Sequence, residues 1–258
     1  MTLDLGSLTE AWAGLLLVPG LVFLRISSAF FFLPAFGETM IPVRVRLALA
    51  LGMTLLVTPT LTPLPDGVPG PAGLVALAAG EVVIGLILGL AIRLVYMALQ
   101  VAGVMAAQAT SLSQLLGGEA TEPQPALGAI LMMAGLALAM SLGLGARVVE
   151  MFVMQFDRLP PGRLIDGSGA AAWAVPAVGA SFRLAFVLAA PFLILSILYN
   201  LGLGVINKAM PQLMVAFVGA PAITFGTILL LFLAAPALLI AWIEAMDDRM
   251  LTPLLVPR

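Results

Sequence analysis

The chain has 258 residues, 62% of them hydrophobic and 9% charged, with a net charge of −2 and a mean hydropathy of +1.17. Soluble domains carry roughly 25% charged residues, so this composition excludes an ordinary soluble enzyme and a disordered scaffold. The slight negative charge leaves no basic footprint for nucleic acid. An all-α integral membrane protein is the class that fits, because helices satisfy their own backbone in lipid.

The sequence begins Met1-Thr-Leu-Asp-Leu-Gly-Ser-Leu-Thr-Glu10 with no basic residue, so the first apolar run is expected to stay in the mature protein. Six apolar stretches follow, at 11–33, 47–64, 72–107, 126–156, 170–206 and 212–245. A span needs about 20 apolar residues. The last two stretches would make helices of roughly 55 and 51 Å against a hydrocarbon core of ~30 Å. Tilt absorbs only a few residues of such an excess. Either these helices are broken, or other protein covers much of their surface.

Pro176, Pro191, Pro221 and Pro236 are the expected kinks, since each removes one helical hydrogen bond. The fifth and sixth stretches are joined by Gly202 to Gln212, a short connection carrying Asn207, Lys208 and Pro211, and are expected to form an αα-hairpin. Orientation is contradictory. Arg44 and Arg46 after the first stretch place the amino terminus outside. Six plain spans would then put Arg147, Arg158, Arg163, Arg249 and Arg258 outside as well, against Lys208 and those two inside. A simple six-span topology is therefore not expected.

Charges within apolar stretches cost a few kcal/mol each at a helix centre, which makes Arg25, Glu81, Arg93, Arg147, Glu150, Arg183 and Glu244 candidates for a specific role. Glu81, Gly85, Gly89 and Arg93 form a row at i+4 steps. Its glycines would permit close helix docking with both charges facing protein, although glycine is frequent here (26 residues). Glu81 and Arg93 lie about 18 Å apart along a helix and cannot pair with each other. The chain has no Cys and no His, which removes thiolate chemistry and the commonest general base and metal ligand. No nucleophile motif or phosphate loop occurs, so neither catalysis nor a cofactor is expected.

The segment from Gln108 to Pro125 differs from its surroundings. Ser111, Leu112, Ser113, Leu115 and Leu116 lead into Gly117-Gly118, and Pro123 and Pro125 follow. Non-helical backbone at membrane depth survives only when buried in protein or lining a wet cavity, so the segment is either a re-entrant plug or a surface loop. Met97 and Met105, among 14 methionines, are candidates for a compliant seal around a polypeptide, with core filling as the plainer reading.

Several motifs in fixed order resemble the FliR family. They are Arg25-Ile-Ser-Ser, then Pro34-Ala-Phe-Gly37-Glu-Thr-Met-Ile-Pro42-Val-Arg44-Val-Arg46. Next come Glu81-Val-Val-Ile-Gly85-Leu-Ile-Leu-Gly89 and Gln100-Val-Ala-Gly103 with Gln108 downstream. The last runs from Asn200-Leu-Gly202-Leu-Gly204 through Asn207, Lys208, Pro211 and Gln212 to Gly219-Ala-Pro221. The similarity covers about residues 10–245.

The resemblance implies a subunit of the flagellar type III export gate in the bacterial cytoplasmic membrane, part of a channel for unfolded flagellar proteins. Its implied partners are FliP and FliQ, with FlhB and FlhA, besides membrane lipid. It also implies a FliP-like part (1–168) followed by a FliQ-like hairpin (169–258), wound into a spiral within the gate complex. Gln108, Ser111, Leu112, Leu115, Leu116, Gly117 and Gly118 align with the family's plug-like loop. The injectisome homologues of the SctT type share the pattern. From another class, a small-solute or ion transporter would require paired discontinuous segments in two halves. The only hint of these is Ala189-Ala-Pro191 against Ala234-Ala-Pro236.

Overall fold

The computed structural model describes residues 5–38, 41–61, 70–110, 126–162, 167–210 and 215–254. These form seven α-helices and one short 3-10 turn, with no strand among the described residues. The helices are α1 (Leu5–Ala29), α2 (Val43–Val57, continued by the 3-10 turn Thr58–Thr60), α3 (Pro71–Thr110), α4 (Ala126–Ser141), α5 (Leu144–Arg158), α6 (Gly167–Ala209) and α7 (Val215–Leu251). Among the described residues four segments are long and apolar enough to cross a membrane: Val43–Thr60, Pro71–Thr110, Ala172–Ala209 and Pro221–Leu251. Counted as one interrupted span, α4 and α5 would make a fifth. The protein is an all-α integral membrane protein.

Helix boundaries follow local chemistry. Pro42 precedes α2 and Pro71 opens α3, where a missing N–H costs nothing. Leu159-Pro160-Pro161 ends α5, because proline cannot continue the ladder. Between α4 and α5 stands Gly143 at φ +83°, a left-handed conformation that glycine adopts without a Cβ clash.

Two expectations need correction. The helix count is seven rather than about six, because the stretch 126–156 divides at Gly143. The prolines do not break the long helices: α6 runs through Pro176 and Pro191, and α7 through Pro221 and Pro236. One lost backbone bond is tolerated when the rest of the ladder continues. At 43 and 37 residues, α6 and α7 are about 65 and 56 Å long.

The described residues pack as two compact units. The first comprises Met1–Leu94, Leu142–Ala177 and Asp247–Arg258, and the second Val95–Ser141 and Val178–Met246. In the first, Leu21, Val22 and Ile26 of α1, Phe30 and Leu33 just after it, Ile84, Leu88 and Ile92 of α3, and Val148, Phe152 and Phe156 of α5 are all buried. Trp173 is buried against Ala91 and Ala177, and its indole N–H donates to the Pro253 carbonyl at 2.9 Å. In the second unit, Leu99, Ala102, Leu131, Leu188, Phe192 and Trp242 are buried. Trp242 donates its indole proton to the Val95 carbonyl at 2.9 Å. There, a Cβ on Gly226 of α7 would lie 3.8 Å from Leu195 Cδ2 of α6. Leu195 lies 14 residues before the end of α6 and Gly226 lies 11 after the start of α7, as two arms running back along each other require.

Candidate functional site

The row Glu81, Gly85, Gly89 and Arg93 lies on one face of α3, and that face meets α1. A Cβ at Gly85 would overlap the Arg25 carbonyl and Ser28 Oγ, and one at Gly89 would overlap the Ala29 carbonyl. Only glycine allows the backbones this approach. Ser28 keeps its hydroxyl close by donating to the Arg25 carbonyl at 3.0 Å. On α1, Arg25, Ser28 and Ala29 fall on one side at i+3 and i+4 spacing, so a stripe of one large and two small residues faces the glycines.

A charge pair closes each end of this seam. At one end Arg25 Nε donates to Glu81 Oε2 at 2.5 Å, with side chains 0% and 1% exposed. Two ions so deeply buried need partners for their remaining hydrogens and lone pairs. Arg25 Nη2 is buried without a hydrogen-bond partner, and the other groups find theirs. Arg25 Nη1 donates to the Leu159 carbonyl at 2.8 Å, and Glu81 Oε1 accepts the Gly162 amide at 2.8 Å. The guanidinium also sits 4.0 Å from the centroid of the Phe156 ring. The pair therefore holds three things at once: α1, α3 and the backbone that leaves α5. The Leu159 carbonyl lies at the negative end of α5, which favours a cation there. Gly162 presents its amide from φ +91°.

At the other end Arg93 Nη1 donates to Glu38 Oε1 at 2.8 Å, both side chains being about one-third exposed. Glu38 is delivered by a tight turn after α1. There Gly37 donates its amide to the Leu33 carbonyl at 2.7 Å, Phe30 stacks on Phe36 with centroids 4.9 Å apart, and Ala35 takes φ +67°. A Cβ on Gly37 would stand 2.6 Å from the Phe31 carbonyl, so the turn admits no side chain there. Arg46 of α2 donates to the Glu38 carbonyl at 3.0 Å and ties the turn to the next helix.

The remaining sequence-predicted residues are dispersed. Met97 is exposed and Met105 half-buried on α3, and Gln108 is exposed in its last turn. Asn207 and Lys208 are exposed in the last turn of α6. Ser111, Leu112, Leu115, Leu116, Gly117, Gly118, Pro211 and Gln212 lie outside the described residues. Arg147 pairs with Asp247 beside Glu150, at a cleft of about 300 Å³ that Met154, Met250 and Leu251 complete. Among the described residues no three acidic side chains converge to hold a cation.

Sequence reasoning missed Glu38 as a partner and did not join Arg25 to Glu81, which are 56 positions apart. The usable signal was the matching pair of stripes, Arg25/Ser28/Ala29 and Glu81/Gly85/Gly89. It also missed a second close approach, where Gly103 of α3 meets Gly128 of α4 with no room for a Cβ.

Comparison with known proteins bears on this arrangement. The family described as Bacterial export proteins, family 1, matches residues 16–249. The chain is 32% identical over 236 residues to the flagellar biosynthetic protein FliR of Caulobacter vibrioides, covering 88% of this chain and 92% of that protein. It is 30% identical over 235 residues to FliR of Aquifex aeolicus (88% and 89% covered). With FliR of Escherichia coli the identity is 27% over 215 residues (83% and 82%). The match includes both stripes of the α1–α3 seam and nearly every described helix, and the chain belongs to the FliR family of bacterial export proteins.

Proposed function

We propose that this chain is a structural subunit of the flagellar type III export gate, contributing part of the wall of a channel for unfolded flagellar proteins. In this reading it works in the bacterial cytoplasmic membrane without catalysis of its own. FliP and FliQ are its assembly partners, and FlhA and FlhB act with the finished gate. Residues 1–168 correspond to a FliP-like part and 169–258 to a FliQ-like hairpin. The segment Gln108–Gly118 closes the channel at rest, and Asn207, Lys208, Pro211 and Gln212 serve helix packing and assembly. The relatives carry flagellar names, which favours this reading over an injectisome gate.

The observation that carries the proposal is the apolar surface of α6. From Phe182 to Met210 it exposes Phe186, Ile194, Leu198 and Leu201 among others, each more than half accessible. That run is about 42 Å long. A bilayer core covers only about 30 Å of it, so another protein surface is required for the rest. The test is expression with and without partners. Alone, the chain should aggregate or be degraded; together with FliP and FliQ it should purify as one complex. A monodisperse, folded chain obtained in detergent without partners would count against the proposal.

A further inference from the structure

Helix hydroxyls in this protein mostly turn back on their own helix. Ser27, Ser28, Thr54, Ser141 and Thr227 each donate to a carbonyl three or four residues earlier, the usual way to satisfy a hydroxyl in an apolar setting. Ser196 of α6 does otherwise. Its hydroxyl donates to the carbonyl of Ala109, on a different helix and 87 positions away in sequence. Both residues belong to the second compact unit.

The acceptor matters because of where it sits. Ala109 lies in the last turn of α3 as far as that helix is described, to Thr110, and carbonyls near a helix end are the ones most open to an outside donor. Thr110 bends its own hydroxyl back to the Ala106 and Ala107 carbonyls, at 3.0 and 3.2 Å. Ala109 is met from outside by Ser196, which is 4% exposed. One turn further along α6, Asn200 donates from Nδ2 to the Ser196 carbonyl at 2.8 Å and to Ser196 Oγ at 3.2 Å. The proton directions agree. Asn200 donates to the Ser196 oxygen, which leaves the hydroxyl hydrogen free for Ala109, and such chains strengthen each member.

We infer that Ser196 and Asn200 form a positioning pair that fixes the carboxyl-terminal end of α3 against α6. Apolar packing alone would tolerate a slip of one helix along the other, because Leu and Ala side chains interchange their contacts. A hydroxyl aimed at one carbonyl does not, so the pair makes the last described turn of α3 a fixed point on α6. Its consequence for channel closure rests on the reading of Gln108–Gly118 given above.

The test uses the complete complex with FliP and FliQ, comparing Ser196→Ala, Ser196→Thr and Asn200→Ala with the parent. Hydrogen exchange at the amides of residues 106–110 reports on the end of α3. Loss of one buried hydrogen bond should accelerate exchange there about threefold to tenfold in Ser196→Ala. Ser196→Thr, which keeps the hydroxyl, should restore the parental rate, and Asn200→Ala should shift it in the same direction by less. Should Ser196→Ala yield no complex, Asn200→Ala, on the exposed side of α6, carries the same comparison. Unchanged exchange, or exchange in Ser196→Thr as fast as in Ser196→Ala, overturns the positioning role. Ion leak through the same complexes separates the two readings. Faster exchange with raised leak supports both. Faster exchange with unchanged leak supports the positioning pair and counts against the closing segment.

Discussion

Arg25 and Arg93 sit at opposite ends of one seam, yet their carboxylate partners do different amounts for the fold. Arg25 and Glu81 are fully buried, so deleting either side chain strands an ion in an apolar interior, at a cost of about 3–5 kcal/mol. Arg93 and Glu38 are each about one-third exposed, and such a pair contributes about 0–1 kcal/mol. Denaturation of the assembled complex should therefore show Arg25→Ala and Glu81→Ala strongly destabilised and Arg93→Ala nearly unchanged. The double variant Arg25→Leu/Glu81→Leu should recover much of the loss, since no charge is then stranded. Equal losses for Arg25→Ala and Arg93→Ala would show that burial is not what makes the first pair matter. Between the pairs, Gly85→Ala pushes a methyl group into the Arg25 carbonyl and should cost about 1–3 kcal/mol or block assembly. Gly52→Ala meets nothing within 4 Å, so complex yield should fall in the first and hold in the second.

At the scale of elements, the break between α4 and α5 depends on one conformation. Gly143 at φ +83° carries the chain out of one helix and into the next. A Cβ in the left-handed region costs roughly 1–2 kcal/mol, so Gly143→Ala should lower the denaturation midpoint by a corresponding amount. Gly145→Ala, in open space within α5, should not. Equal behaviour of the two would mean the break is set by packing rather than by backbone. This junction also shows what sequence could and could not reveal. Helical class, membrane character and the overlong last helices were legible, because hydropathy reports the environment directly. The break at Gly143 was not, because Gly135, Gly143 and Gly145 look alike in a uniformly apolar run. The prolines are a different case: Pro191 and Pro236 suggested breaks, yet both sit inside helices that continue past them. In the seam, the α3 stripe was legible as an i+4 row. Its partners were not, since nothing local ties Arg25 to Glu81 or Glu38 to Arg93.

For the whole molecule the central issue is what covers the apolar surface. The chain buries two cores, but it leaves Phe182, Phe186, Ile197, Leu201 and Val205 of α6 and Phe225, Phe232 and Leu233 of α7 exposed. Lipid is as apolar as these side chains and can cover a band of about 30 Å, well short of helices of 43 and 37 residues. The proposed gate resolves the excess by placing neighbouring subunits on it. Photo-crosslinking in living cells tests this most directly, with a photoreactive residue placed in turn at Phe182, Ile197 and Val205 along the exposed side of α6. Residues 182 and 205 are about 35 Å apart along the helix, more than the ~30 Å hydrocarbon core covers on an upright helix. The account predicts protein adducts, containing FliP or FliQ, at one end at least. Adducts with lipid alone at all three positions would contradict it.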